Sequence, residues 1–442
     1  MRRKAAAQRP SILLLPDKSS PLVFVDFALT RGSFYDPPQK AGLASLTLSL
    51  MFRGTQRRSN AEFHRALDNL GAEMSLGKFK ESLRIYGVVL AEKVHPFLDL
   101  LEEMILEPRF PEDEFVKLKD QFRSALLDEL GSDDDIAERR FQEYLLYGHP
   151  YGLVTSGSLA SLERITLDDV KQFHAKNFRA PHVIFAATGG FASSAMRTRM
   201  SKILARMPKH AAITEEADPP EMPRGRHLLL LNKPDRTQSQ ILIGTRGVSF
   251  RDPDYLPMAM ANHVFGGGSF SARLMTEVRV KRGWSYGAYS WFRSGRVPMF
   301  FAMSAVPSNK DTAACVKLML DLYESFARKG ITKKEFSFAR TSLLNQSAFL
   351  QDTLRKRLEN KVTEKILGLP AGFYDSYVAR LRRVTHAQVV RAVRRQTDPK
   401  SVFALVLGSA EAVESELKGL EGFPNFHRRS FDEEPVALFL PR

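Results

Sequence analysis

Arg279 and Tyr286 stand seven residues apart (286 − 279) inside the stretch Ser271–Ser290, SARLMTEVRVKRGWSYGAYS. A guanidinium and a phenol that flank one helix-to-strand junction can aim their hydrogen-bond donors at a common point. The elements that must position them are legible around them. Leu274, Met275 and Val278 give the apolar stripe of a short helix that ends in Arg279, Lys281 and Arg282, where cations suit the negative end of the helix dipole. Gly283 is placed to stop it in the left-handed conformation. Trp284, Tyr286, Ala288 and Ser290 then alternate as a strand does. The alternative is that Arg279 only compensates a helix end and Tyr286 only packs in a sheet, so the rest of the chain has to decide between them.

Other candidates for chemistry are weaker. The ten histidines, His64, His95, His149, His174, His182, His210, His227, His263, His386 and His427, include no pair at helical ligand spacing. Cys315 is the single cysteine, which excludes an intrachain disulfide and a cysteine-rich zinc site, and its apolar neighbours make it core filler. Gly266-Gly267-Gly268 lacks the Gly-Lys-Ser/Thr of a phosphate loop. Asp133-Asp134-Asp135 lacks the alternating spacing of a calcium loop and reads as an acidic helix start.

Composition bounds the class. The chain has 442 residues, 43% hydrophobic and 26% charged, enough for two or more globular cores. No apolar run reaches the roughly 18 to 20 residues that span a bilayer. After MRRKAAAQRP only Ile12-Leu13-Leu14-Leu15 precedes Pro16, too short for the core of a signal peptide. The chain is therefore expected in the cytoplasm, or elsewhere as a mature form lacking its leader. The net charge of +15 is dispersed over amphipathic helices without a nucleic-acid motif, so neither nucleic acid nor membrane is expected as a partner. An acidic partner surface or acidic peptides fit the same field.

The strongest organising signal is a repeat. Leu162-Glu163-Arg164-Ile165-Thr166 matches Leu381-Arg382-Arg383-Val384-Thr385, each threonine set to cap the next helix. The β-runs that follow end at Gly189 and Gly408, so both offsets are 219 residues (385 − 166 and 408 − 189). A looser pair relates Pro21–Phe27 and Arg31–Pro37 to Ser239–Ile243 and Arg246–Pro253. The proline-rich run 217–226 reads as a linker, dividing the chain into an N-terminal half, 1–216, and a C-terminal half, 227–442. Helices are expected at Ala61–Leu70, Val94–Leu106, Pro111–Leu130, Asp135–Leu146, Leu256–Val264, Asp311–Arg328, Lys333–Leu350 and Thr353–Leu367. The class is α+β in two similar halves.

Gly42-Leu43-Ala44-Ser45-Leu46-Thr47-Leu48-Ser49-Leu50-Met51-Phe52-Arg53-Gly54-Thr55 resembles the zinc-motif segment of the M16 metallopeptidases, the pitrilysin, insulysin and mitochondrial processing peptidase family. Active members carry His-x-x-Glu-His there, two zinc ligands and a general base on one helix. Here Ser45, Leu48 and Ser49 fill those positions, and a leucine can neither bind zinc nor take a proton. Glu129 falls where the family has its third ligand, either a vestige or an ordinary helical glutamate.

The second half resembles the family's non-zinc half more closely. Gly266-Gly267-Gly268-Ser269-Phe270-Ser271-Ala272-Arg273-Leu274 resembles its glycine-rich stretch, and Arg279 and Tyr286 fit its arginine-tyrosine pair. The resemblance spans about Val23 to Leu407. It implies two homologous α/β-roll halves, the duplicated LuxS/MPP-like metallohydrolase fold. It also implies a zinc-free M16B subunit, inactive alone, in a heterodimer whose partner supplies His-x-x-Glu-His and Zn²⁺. Arg279 and Tyr286 would then act in trans on a peptide substrate, with Gly266, Gly267, Gly268 and Ser269 along its path, and no metal would bind this chain. The alternative is a degenerate scaffold or assembly subunit with no role in catalysis.

Overall fold

In the computed structural model, residues 10–210, 218–268 and 270–439 are described. Apolar runs become the strands of two sheets. β1 (Ser11–Pro16), β2 (Leu22–Leu29), β3 (Glu73–Lys78), β4 (Leu83–Leu90) and β5 (Val183–Gly189) lie in the order β1-β5-β2-β4-β3. β6 (Arg226–Asn232), β7 (Gln240–Arg246), β8 (Ala288–Ser294), β9 (Pro298–Ala305), β10 (Val402–Gly408) and β11 (Asn425–Ser430) lie in the order β11-β6-β10-β7-β9-β8. With β11 set aside, the two orders superimpose strand for strand. β5 runs parallel to β1 and antiparallel to β2, as β10 does to β6 and β7. The repeated runs at the 219-residue offset are β5 and β10, in which every residue is buried. Both lack polar alternation because both of their faces are covered.

The matched threonines perform the same task in both copies. Thr166 accepts from the Asp169 N–H at 3.2 Å to open helix Leu167–Asn177, and Thr385 accepts from the Gln388 N–H at 3.3 Å to open helix His386–Gln396. In each, the third residue reaches back to the threonine N–H, completing a reciprocal capping box.

The chain forms two compact units, and they are not contiguous in sequence. Unit 1 takes the described residues of Met1–Leu127, Leu153–Ala217 and Phe349–Tyr374; unit 2 takes those of Asp128–Gly152, Asp218–Ala348 and Asp375–Arg442. The main passage between units falls in the proline-rich run, with β6 already under way at Arg226. Two excursions depart from a division into 1–216 and 227–442. Helix Asp133–Leu145 belongs to unit 2, where Phe141 meets Phe300 and Phe403 with ring centroids 5.4 and 5.8 Å apart. Gly244 on β7 makes room for it, since a Cβ there would lie 2.3 Å from the Phe141 ring. Helix Leu354–Leu367 belongs to unit 1, where Leu358 and Val362 pack on Phe24, Ala28, Ile184 and Ala186. Each sheet thus has one face covered by a helix that comes from the other half of the sequence. The apolar stripe of such a helix demands a sheet, but its periodicity does not say which one.

Most helix limits fall within a residue or two of the sequence expectation, and Val94–Leu106 coincides with it. Lys333 to Leu350 is an exception: the helix ends at Gln346 and Ser347–Leu350 is a tighter 3₁₀ turn. No helix among the described residues is long and apolar enough to cross a membrane.

Candidate functional site

The degenerate zinc-motif segment forms helix Leu43–Met51, in which every residue is buried. Gly42 precedes it at φ +96°, a conformation that a side chain would strain. Asp36 serves the orphan N–H groups of the first turn, accepting from Gly42 and Ala44 at 2.9 Å each. Burial pushes the Asp36 carboxyl up to about 7 against the pull of these bonds. Leu48 is wholly buried in the core of unit 1, and the Ser45 hydroxyl donates to the Thr155 carbonyl at 2.7 Å. Glu129 accepts two contacts from Arg139 at 3.1 and 3.2 Å, and Arg139 also meets Glu143. These side chains do not fit a zinc ion: the general-base position is a core methylene side chain, and the ligand positions are hydroxyls, one of them already donating to a carbonyl. Among the described residues no group of three or more His, Cys, Asp or Glu is placed to hold a metal.

In unit 2 the glycine stretch begins where helix Tyr255–Asn262 widens into a π-turn, His263–Gly267. Close packing accounts for the glycines there. A Cβ on Gly266 would stand 2.5 Å from the Ser290 Oγ and 2.7 Å from the Ser290 N on β8, and one on Gly268 would stand 2.5 Å from the His263 carbonyl. Asn262 ties the same turn to β8, accepting from the Ser290 hydroxyl at 2.6 Å. Gly266 is buried, Gly267 exposed and Gly268 half-buried, while Ser269 lies outside the described residues.

The helix expected after it is a π-helix, Met275–Val280. Leu274, Met275 and Val278 anchor it in the core, as their spacing predicts. Gly283 ends it at φ +66°, its N–H bonding the Arg279 carbonyl at 2.9 Å. A π-turn carries an extra residue and is often found at functional sites. The strand expected from Trp284 begins only at Ala288. The Ser285 hydroxyl is the physical reason: it donates to the Gly287 carbonyl at 2.6 Å and accepts from the Gly287 and Val306 N–H groups at 3.3 and 3.0 Å, which folds Ser285–Gly287 into a turn. Ala288 and Ser290 therefore point inward, whereas Tyr286 is 88% exposed.

The cations of this segment differ sharply in their partners. Lys281 and Arg282 are both held by Glu277, at 2.5 and 2.8 Å, and they keep its carboxyl below the usual carboxylate range. Arg273 makes two contacts of 2.8 Å with Glu335. Arg279 has no ion pair among the described residues; its guanidinium lies over the Phe270 ring, 4.8 Å from the centroid. No hydrogen bond joins it to Tyr286, so what the fold brings to Arg279 is Phe270. That ring was not singled out from the sequence, where its only signal is a large apolar residue inside a glycine-rich turn. Among the described residues the segment thus holds one cation without a carboxylate and one exposed phenol.

Comparison with known proteins bears on the family and the fold. The profile of the insulinase family (peptidase family M16) matches residues 12–144, and that of the peptidase M16 inactive domain matches residues 164–343. A Helicobacter pylori protein named non-peptidase homolog YmxG is 23% identical over 87% of this chain and 89% of its own. An uncharacterized zinc protease of Streptomyces coelicolor is 26% identical over 82% of this chain and 80% of its own. In fold, the crystal structure of a peptidase M16 inactive domain from Pseudomonas fluorescens superimposes with a TM-score of 0.84 at 24% identity, covering 93% of this chain and 98% of that one.

Proposed function

The chain belongs to peptidase family M16, and from that premise we propose that it is the zinc-free subunit of an M16B-type heterodimer. It binds peptide substrate and presents Arg279 and Tyr286 to the active centre of a partner with an intact His-x-x-Glu-His motif. The observation that carries this reading is the contrast within one segment. Lys281 and Arg282 share Glu277 and Arg273 is paired with Glu335, whereas Arg279 has no carboxylate partner among the described residues and Tyr286 stands 88% exposed. A residue that only compensated a helix end would have no need of such reserve. A tyrosine that only packed in a sheet would be buried.

The chemistry this chain offers is electrophilic. As a peptide carbonyl is attacked, its oxygen becomes an oxyanion, and a fixed guanidinium or phenolic O–H aimed at it or at a neighbouring carbonyl lowers the barrier. Zinc and the general base belong to the partner in this reading, since Ser45, Leu48 and Ser49 can supply neither.

The test uses a quenched fluorescent peptide with this chain alone, with an M16 chain bearing the intact motif alone, and with their mixture. Cleavage is expected only, or far faster, in the mixture. Arg279→Ala or Tyr286→Phe should lower kcat/KM by an amount corresponding to about 2.7 to 4 kcal/mol while the zinc content of the mixture stays unchanged. Zinc-dependent cleavage by this chain alone would overturn the proposal. Unchanged turnover with both variants would leave the chain as a scaffold.

A further inference from the structure

Phe270 has three features that do not belong together in a residue of no consequence. It is a large aromatic side chain, 62% of it is exposed, and the side chain stacked on it is the Arg279 guanidinium, 4.8 Å from its centroid. The two residues are nine positions apart (279 − 270) and lie on different elements, Phe270 in the turn that follows Gly266–Gly268 and Arg279 on the π-helix Met275–Val280. A long arginine side chain without an ion pair samples many rotamers, and a donor that samples many rotamers is a poor one for a developing charge. The face of an aromatic ring attracts a cation through its quadrupole without neutralising it or occupying its hydrogen-bond donors. A carboxylate would hold the guanidinium more firmly but would take up the same donors that a substrate carbonyl needs, as Glu335 does to Arg273 and Glu277 to Arg282.

We infer that Phe270 is the positioning residue of Arg279: it holds the guanidinium in place from its non-polar side and leaves the N–H edge open to the backbone carbonyls of an extended peptide. This rests on the proposed peptide-binding role of Arg279. The Phe270 carbonyl accepts from the Thr276 hydroxyl at 3.4 Å, which ties the backbone at the ring to the π-helix that carries Arg279.

The experiment measures binding of a panel of fluorescein-labelled unstructured peptides to the full chain by fluorescence anisotropy, for the wild type and for Arg279→Ala, Phe270→Ala, Phe270→Leu, Phe270→Trp and the double variant Arg279→Ala/Phe270→Ala. Arg279→Ala should weaken binding about 10- to 100-fold, as loss of a charged hydrogen-bond donor does. Phe270→Ala should weaken it about two- to fivefold, the range of an exposed cation–π contact. Phe270→Leu should show the same loss although it keeps an apolar side chain, and Phe270→Trp should restore binding. Because Phe270 acts through Arg279, the double variant should bind no more weakly than Arg279→Ala alone. Phe270 is exposed, so all variants should keep the wild-type thermal midpoint. If Arg279→Ala weakens binding while Phe270→Ala does not, or if Leu rescues as well as Trp, the positioning role is overturned and the role of Arg279 stands. If the wild type binds no peptide, or Arg279→Ala binds as well as the wild type, the peptide-binding reading itself is overturned, and the inference about Phe270 with it.

Discussion

Helix Leu43–Met51 and the segment Met275–Tyr286 treat polar groups in opposite ways. In the first, the position that would carry a general base is Leu48, wholly buried, and Ser45 donates its hydroxyl to the Thr155 carbonyl. Every residue of that helix is buried, so it has become a piece of core. In the second, Met275 and Val278 are buried together with the preceding Leu274, while Arg279 has no carboxylate partner among the described residues and Tyr286 stands in solvent. The difference teaches how burial and exposure divide what each segment can offer a ligand. A residue with its partners already inside the fold has none to offer a substrate.

The largest expected effect tests the first half of that contrast. Leu48→Glu places a carboxylate in the apolar core of unit 1 and should destabilise the chain by at least about 3 kcal/mol. Leu48→Met, which preserves volume, should cost less than about 1.5 kcal/mol. Urea unfolding read from the midpoint checks both. An unchanged midpoint for Leu48→Glu would mean that the helix has kept room for the chemistry it lost, and the contrast would collapse.

A smaller effect tests what holds the second segment in place. Gly266→Ala puts a Cβ within 2.5 to 2.7 Å of the Ser290 Oγ, the Leu274 Cδ1 and the Ser290 N. The strand backbone cannot yield cheaply, so the expected cost is about 1 to 3 kcal/mol, again by urea midpoint. The π-turn His263–Gly267 should loosen with it, so peptide binding should weaken beyond what stability alone explains. If Gly266→Ala is as stable as the wild type, the glycine is there for a ligand's approach and not for β8.

Much of this arrangement was legible in the sequence, and the remainder was hidden for identifiable reasons. The repeat at a constant offset placed Thr166 with Thr385 and β5 with β10, because capping and two-sided burial leave strong local patterns. The loss of the zinc motif was a matter of residue identity alone. The exchange of helices Asp133–Leu145 and Leu354–Leu367 between units was not legible, since an amphipathic face specifies an apolar partner and not its address. The turn at Ser285 broke a strand that the alternation Trp284, Tyr286, Ala288, Ser290 had predicted, because one hydroxyl bonding Gly287 and Val306 outweighed the pattern. The Phe270–Arg279 contact was missed because it joins a turn to a π-helix, and neither has a period that sequence spacing can reveal.

The smallest effect sharpens the difference between Arg279 and its neighbour Arg273. Glu335 is the third residue of the helix that Thr332 caps, and it receives Arg273 at 2.8 Å through two nitrogens. Burial pushes its carboxyl up, but Arg273 and the Thr332 N–H together outweigh burial and bring it down to about 2 from an ordinary 4.5. The folded state therefore binds this proton less readily than the unfolded state does. Its contribution to stability is fully present above pH 4.5 and is lost as the pH falls toward about 2. Glu335→Gln should flatten that part of the acid limb, so the difference in urea midpoint between wild type and variant should shrink steadily across this window. Because the pair is partly exposed, the difference should be modest and should diminish further in high salt. Arg279→Ala, by contrast, should leave the acid limb of stability unchanged, since no carboxylate among the described residues pairs with it. If Arg279→Ala altered the acid limb as Glu335→Gln does, Arg279 would have a carboxylate partner after all, and its charge would be structural like that of Arg273.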